Sequence, residues 1–429
     1  MNKQNVLLLG SGGREHAIAW KLEKSEQLGK LYTAPGNPGT ERHGINIELD
    51  ISDFNAVETV ADDLQIDLVI VGPEQPLVEG IADYLEERGI TVFGPSKAAA
   101  QLEGSKSFAK SFMERHGIPT AAYRTFSNDE FDEALGYIKE QNQYPIVLKA
   151  DGLAGGKGVF ICENEEQTAS RLNLLSEDKN LKSAASTLVV EEFMLGEEAS
   201  VFVICDGTEG KVIHTAQDHK RIGENDTGLN TGGMGAYAPS PLLTQAMMAR
   251  VEEEIIDPTI KGMMEENTPY NGILYVGLMI TKEGPKVVEY NCRFGDPECQ
   301  VILPPLKNDL LELITAATNK SLSEIEIQIS DRIYCSVVLA SGGYPKSYEK
   351  GYKISGLDNC DNDALIFHSG TKSENGELFT NGGRVLNVVG SGQTLAEAID
   401  HSYNNTELIS FKDSYFRHDI GKKGLKKID

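Results

Sequence analysis

Three side chains set two residues apart, Glu289, Asn291 and Arg293, stand in the stretch VVEYNCRFGDPECQ that runs from 287 to 300. Lys286, Val287 and Val288 lead out of a Gly284-Pro285 turn with the apolar, β-branched character of a strand. Alternate residues of a strand share a face, so Glu289 and Asn291 point the same way. A carboxylate beside an amide oxygen supplies the hard ligands that Mg²⁺ takes when it also holds nucleotide phosphates. Arg293 adds a planar cation suited to a carboxylate or a phosphate. Taken alone, these residues also read as a strand edge with a surface ion pair. Cys292 falls on the opposite face and reads as packing.

Cations upstream extend the pattern. Lys149 interrupts an apolar strand, Pro145 to Ala150, where a lysine is costly unless it meets an anion. It is followed by DGLAGGKGV (151–159), in which Gly155, Gly156 and Gly158 surround Lys157. Such a loop can close its N–H groups over phosphates. It is not a Walker A loop, because Asp151 stands five before Gly156 and Gly158 occupies the Ser/Thr position. Lys106 and Lys110 lie on a helix expected from Ser105 to His116. A strand from Thr187 to Glu192 ends in EEFMLGEEAS and is expected to form a hairpin with Ser200 to Cys205 across Gly196. Gln217 to Pro241 reads as a long aperiodic loop that opens with Asp218, His219, Lys220 and Arg221, a candidate substrate contact.

The elements that must carry these groups begin with a buried strand, Asn5 to Gly10, a GSGG turn, and a helix from about Arg14 to Leu22. Glu15 stands where a dinucleotide fingerprint needs glycine, which argues against that use. The turn can still offer amides to a phosphate at the helix N-terminus. PGNPGT (35–40), GPEQPLVEG (72–80) and GPS (94–96) each follow an expected strand, so they gather at the carboxyl edge of a parallel sheet. Residues 1–104 therefore read as a doubly wound α/β domain. Further on, a helix from about Thr244 to Met264 is expected to break near Asp257-Pro258. The strand Gly272 to Thr281 pairs with the opening stretch, and a helix runs from Leu306 to about Asn319. The last hundred residues read as a small α+β domain with a solvated tail that holds four lysines.

A length of 429 residues suggests about three domains. Forty basic and 65 acidic residues give a net charge of −25, which argues against nucleic acid or an anionic membrane as partner. Six scattered cysteines without a CxxC pair fit a reducing compartment. No apolar run is long enough for a membrane span and the N-terminus does not read as a secretory signal, so the cytoplasm is expected.

GSGGREHA, PGNPGT, VGPE-PL, DGLAGGKGV, EEF-GEE, QDHKR, NTGGMGAY, NCRFGDPE-Q, SGGYP and GGRVL occur here in the order seen in phosphoribosylamine–glycine ligases, which the chain resembles from Gly10 to about Gly421. The resemblance implies an ATP-grasp fold of two α+β lobes over 105–325, with a smaller lid lobe at about 122–192. It follows the N-terminal domain and precedes a C-terminal domain over 326–429. It further implies ATP-dependent ligation of glycine to 5-phosphoribosylamine, with Mg²⁺ or Mn²⁺, by a cytoplasmic enzyme expected to be a monomer. Another ATP-grasp ligase of purine synthesis, using formate or bicarbonate, is the alternative.

Carried over by position, Lys106, Lys149, Gly155, Gly156, Lys157 and Gly158 would meet ATP phosphates. Glu191, Glu192 and Phe193 would border the adenine, and Glu198 the ribose. Glu289 and Asn291 would bind the metal. Lys149, Asp218 and Arg293 would be catalytic, with His219, Lys220, Arg221 and Arg293 toward glycine and its acyl phosphate. Gly12, Gly13, Arg14, Asn37, Pro38 and Glu74 would help hold the phosphoribosylamine. Two positions depart from the family pattern: Leu229 stands for a usual proline and Ser369 for a usual alanine, and neither is expected to touch a ligand.

Overall fold

The computed structural model describes residues 3–153, 158–177 and 186–426. The first hundred residues form a five-stranded parallel sheet in the order Ile45–Asn46, Leu28–Pro35, Gln4–Gly10, Leu68–Val71, Val92–Phe93. The run Val6-Leu7-Leu8-Leu9 is fully buried, as a central strand covered on both faces requires. The helix Gly13–Leu22 starts one residue earlier than expected. Glu15 explains the missing third glycine: its carboxylate folds back to accept from the Gly12 N–H at 2.6 Å. Gly10, at φ +125°, has no room for a Cβ beside that side chain.

A four-stranded antiparallel sheet, Tyr123–Ser127, Thr187–Glu192, Ile146–Ala150, Val159–Cys162, forms the smaller lobe with the helices Phe131–Gln141 and Glu165–Glu177. The expected hairpin between Thr187–Glu192 and the next strand does not form. Thr187–Glu192 is flanked by Tyr123–Ser127 and Ile146–Ala150. Glu197–Asp206 pairs along its whole length with Asn271–Ile280 and, on its other edge, with Gly210–Asp218. Both edges of both strands are taken, so the short link between them joins two sheets.

The largest sheet runs Pro285–Asn291, Asn271–Ile280, Glu197–Asp206, Gly210–Asp218, Gly235–Ala238, Ile333–Ser341, Arg384–Gly392, Leu365–His368. The C-terminal strands continue this sheet, with Gly235–Ala238 as the link. The stretch from 217 to 241 is correspondingly ordered. It holds the hairpin of Arg221–Gly223 with Thr227–Asn230 as well as that linking strand. Leu229 is half-exposed on the hairpin.

The expected break near Pro258 is a π-helical segment, Glu252–Ile256, between the helices Gln245–Val251 and Asp257–Glu265. Asp309 caps the helix Leu310–Thr318 by accepting from the N–H groups of Leu311 and Glu312. The tail is not simply solvated. Gly421 is buried, and its N–H donates to His219 Nε2 at 3.0 Å.

Candidate active site

In the strand Pro285–Asn291 a register shift at Val288 interrupts the alternation. Val287, before the shift, and Tyr290, after it, are both buried in the core, while Glu289 and Asn291 are half-buried on the open face. Gly277 lies opposite Glu289, and a Cβ there would meet Glu289 Cγ at 3.3 Å, so the glycine leaves the carboxylate its space. Burial pushes the Glu289 carboxyl upward, but Lys220, Lys149, Lys106 and Arg293 outweigh it and hold it below the usual range.

The strand ends at Asn291, yet Arg293 returns to the same face, where its Nη2 donates to Asn291 Oδ1 at 3.1 Å. Two acids hold the guanidinium, Glu74 at its Nε (3.0 Å) and Glu103 at its Nη2 (2.9 Å). Burial works against the charge on Arg293, but Glu103 and Glu74 win and raise its pKa. Burial lifts Glu74 while Arg293 and Arg14 bring it down to about 2.

Lys149 is buried on its strand, 2.9 Å from Glu191 Oε2, and donates to the Val288 carbonyl at 3.1 Å. The Glu191 side chain thus faces lysines. Glu192 lies at the exposed edge, where its Oε1 accepts from the Ala122 N–H, and Phe193 is half-buried beside it. Lys106 opens the helix Lys106–Arg115 and reaches the carbonyls of Asp151 (3.3 Å) and Gly152 (3.1 Å) at the start of the glycine loop. Gly155, Gly156 and Lys157 lie outside the described residues. The Gly158 carbonyl accepts from the Ala150 N–H at 2.8 Å.

Of the cluster that follows Gln217, the structure brings two residues to this face. Lys220 Nζ lies 2.7 Å from Glu198 Oε2 and 3.6 Å from Glu289 Oε1, and so links two positions that sequence spacing left unrelated. Asp218 is buried, and its carboxyl is raised by burial and by Glu298 and Glu198 against Lys220. Glu298 is buried as well, accepts from the Tyr275 hydroxyl at 2.9 Å, and is raised by burial although Lys220 and Arg293 oppose it. His219 and Arg221 turn the other way. His219 Nε2 accepts from Gly421, and the Arg221 guanidinium donates to the Gly228 carbonyl at 2.7 Å. The period-2 alternation of the strand Gly210–Asp218, carried past its end, sends 218 and 220 to one side and 219 and 221 to the other.

A cavity of about 410 Å³ lies at the carboxyl edge of the parallel sheet, lined by Gly10, Gly12, Arg14, Asp50, Pro73 and Asp296 among others. Arg14 donates to Glu15 Oε1 at 2.6 Å and to the Phe294 carbonyl at 3.1 Å, so it joins this cavity to the loop of Arg293. Two amides expected to await a phosphate are already engaged, Gly12 N–H by Glu15 and Arg14 N–H by Asp296 at 3.3 Å. Asn37 is buried and organises the loops. It donates to the carbonyls of Ser11, Gly12 and His368 and accepts from the N–H groups of Gly39 and Thr40. Pro38 is half-buried beside it. Gly13 is packed so closely that a Cβ would lie 2.7 Å from Ser369 Oγ, which brings the departing Ser369 against a candidate substrate residue after all.

This chain matches three parts of phosphoribosylglycinamide synthetase: the N domain over residues 4–103, the ATP-grasp (A) domain over 104–299 and the C domain over 334–423. It is 51% identical to a phosphoribosylamine–glycine ligase of Mesorhizobium japonicum over 97% of both chains, and 46% identical to one of Agrobacterium fabrum over 98% of both. The chain belongs to the phosphoribosylamine–glycine ligase family. A crystal structure of a phosphoribosylamine–glycine ligase from Thermotoga maritima superposes with a TM-score of 0.84 at 34% identity, covering 97% of this chain and all of that one. A biotin carboxylase of Campylobacter jejuni, at 16% identity and a TM-score of 0.74, covers 99% of this chain and 95% of its own, and shares the fold.

Within this ATP-grasp ligase family frame, the carboxylate of Glu289 and the amide oxygen of Asn291 fit a hard divalent cation. These two residues would supply two hard oxygen ligands to such a cation. The reading of the sequence missed Glu103, Glu298, Asp296 and the partners of Lys110. Glu298 had a signal, since it lies within the same motif as Glu289. Glu103 had none, because nothing local tells that a short helix after residue 100 delivers a carboxylate to Arg293.

Proposed function

We propose that this chain ligates glycine to 5-phosphoribosylamine at the expense of ATP, giving glycinamide ribonucleotide, ADP and phosphate. The observation that carries this reading is a charge pattern matched to a zwitterion. Arg293, with Nε and Nη2 held by Glu74 and Glu103, offers a carboxylate the Nη1 that only the Phe294 carbonyl meets, at 3.2 Å, among the described residues. Asp218 and Glu298 offer buried acids for an ammonium, with Lys220 and Arg293 both acting on Glu298. Formate and bicarbonate carry no ammonium and leave that acid pair without a partner.

A free carboxylate is a poor acyl donor because it would have to expel oxide. Transfer of the γ-phosphoryl group to a glycine carboxylate oxygen gives glycyl phosphate. The ribosylamine nitrogen then attacks the carbonyl carbon, phosphate leaves, and the nitrogen gives up a proton. Phosphoryl transfer asks the protein mainly for positioning and neutralisation of charge. Lys106 and Lys149 supply cations to the phosphates and Arg293 steadies the carboxylate as it becomes an acyl phosphate. Mg²⁺ or Mn²⁺, held by Glu289 and Asn291, would supply further charge neutralisation across the phosphates. Glu198 with Lys220, and the backbone of 191–193, are assigned to the nucleoside. His219, Arg221, Asn37 and Pro38 act in this reading through the loops they hold. The cavity at Gly12, Arg14 and Asp296 is assigned to phosphoribosylamine, with Gly13 and Glu74 at its border. The lobe over about 122–192 is assigned to the lid, which excludes water from the acyl phosphate. The domains run 1–104, 105–325 and 326–429. The chain is proposed to act as a monomer. Six cysteines without a disulfide favour the cytoplasm, and no helix among the described residues is long and apolar enough to cross a membrane.

The test is phosphate release by the purified protein with ATP, Mg²⁺ and phosphoribosylamine generated in the assay, while the carboxylate is varied. Release should require glycine, with glycinamide ribonucleotide as product. Release that follows formate or bicarbonate instead overturns the assignment.

A further inference from the structure

Lys110 is buried to 2% exposure on the helix Lys106–Arg115, and the reaction as described makes no use of it. Its Nζ donates to Thr120 Oγ1 at 2.8 Å and to the Ala121 carbonyl at 3.3 Å, and lies 3.4 Å from Glu191 Oε1. The Thr120 hydroxyl in turn donates to the Val287 carbonyl at 2.7 Å. On the far side, Glu191 Oε2 meets Lys149, which donates to the Val288 carbonyl. These contacts close a circuit. It leaves the strand of Glu289 at Val287, passes through Thr120, Lys110, Glu191 and Lys149, and returns to the same strand at Val288.

One buried carboxylate is thus shared by two ammonium groups, and Glu191 Oε1 has no hydrogen bond of its own among the described residues. A carboxylate with a single lysine would form a neutral pair. With two, the cluster carries one surplus positive charge beside the residues assigned to the nucleotide phosphates. We propose that Lys110 is a positioning residue for ATP: by sharing Glu191 it keeps Lys149 available to the phosphates and ties the smaller lobe to the strand of Glu289 and Asn291. This rests on the ATP-dependent reading above. Burial lowers Lys110 to about 8, with Glu191 and Glu192 opposing and Lys149 assisting, and the Tyr123 ring lies 5.7 Å away. Loss of that proton would leave Glu191 to Lys149 alone.

Lys110→Met, Lys110→Arg and the double variant Lys110→Met/Glu191→Gln test this, with ATP affinity read by calorimetry and KM read separately for ATP and glycine. Lys110→Met should weaken ATP by about tenfold or more, the scale of losing one charge-assisted contact when Glu191 claims Lys149 for itself, with KM for glycine changed far less. Lys110→Arg should recover most of that loss. The wild-type rise in KM for ATP toward alkaline pH should be absent from it, since a guanidinium stays protonated. The double variant should bind ATP better than Lys110→Met, because the carboxylate that neutralises Lys149 is gone. Unchanged ATP affinity in Lys110→Met overturns the proposal. So does an equal loss for ATP and glycine that neither Lys110→Arg nor the double variant repairs. Failure of the wild type to ligate glycine would refute the proposed function, while ATP calorimetry on the variants would still judge Lys110.

Discussion

Glu74 and Arg293 are 219 positions apart in the chain and 3.0 Å apart in the fold. Their contact joins the parallel-sheet domain to the strand end that carries Asn291, so the guanidinium is aimed by a residue from another domain. Glu74→Gln should lower kcat/KM for glycine by about tenfold, the scale of one lost charge-assisted hydrogen bond, with ATP affinity little changed. Isothermal binding of ATP beside steady-state kinetics in glycine checks it.

Glu289→Gln should reduce turnover by about 10²-fold or more, the scale of removing one key electrostatic contact. The rate should be partly regained at high Mg²⁺ or Mn²⁺. A metal titration of kcat in both proteins reads this, and near wild-type rates at ordinary Mg²⁺ would remove Glu289 from the metal site.

Glycine labelled with ¹⁸O in its carboxylate should pass label to the released phosphate, since the oxygen that attacks the γ-phosphorus leaves with it. Mass spectrometry of the phosphate gives the answer. Unlabelled phosphate would exclude an acyl phosphate.

Asp218 and Glu298 are both raised by burial, so they protonate more readily in the folded protein than in the unfolded chain. A raised carboxyl binds its proton in the native state first, so stability falls as pH rises through the folded pKa. Asp218→Asn should therefore raise Tm at neutral pH, and the gain should vanish below the ordinary carboxylate range. For the wild type, KM for glycine should rise as pH falls from about 8 to about 6, because a protonated acid no longer holds an ammonium.

Asn37→Ala removes the donor to three carbonyls and the acceptor for two N–H groups at a buried position. Leaving buried polar groups unpaired should cost about 2 kcal/mol or more of stability. KM for phosphoribosylamine should rise more than KM for ATP. Thermal melts and kinetics in each substrate separate the two effects.

Much of the site was legible because it is local. Glu289 and Asn291 share a face through strand alternation alone, and Lys149 announces itself as a charge inside an apolar run. The same alternation, applied to 218–221, would have separated Asp218 and Lys220 from His219 and Arg221, had that segment been read as an extended strand instead of a loop. Glu191 was placed by position and its neighbours were not, because the lysines it faces come from a helix and a strand that the sequence does not relate. The hairpin expected after Thr187–Glu192 failed for the same reason, since strand partners are chosen by available edges across the whole chain.

The sequence by itself determined what is periodic or chemical within a few residues: the buried parallel strand at Val6–Leu9, the glycine turns, the faces of the strand at 289 and 291, and the ordered motifs of the family. The tertiary structure decided every relation between distant charges. Glu74 and Glu103 on Arg293, Lys220 between Glu198 and Glu289, and the sharing of Glu191 by Lys110 and Lys149 exist only after three sheets have packed. The physical reason is that alternation and turn chemistry act over a few bonds, whereas an ion pair depends on separation in space, which only the packed sheets and helices set.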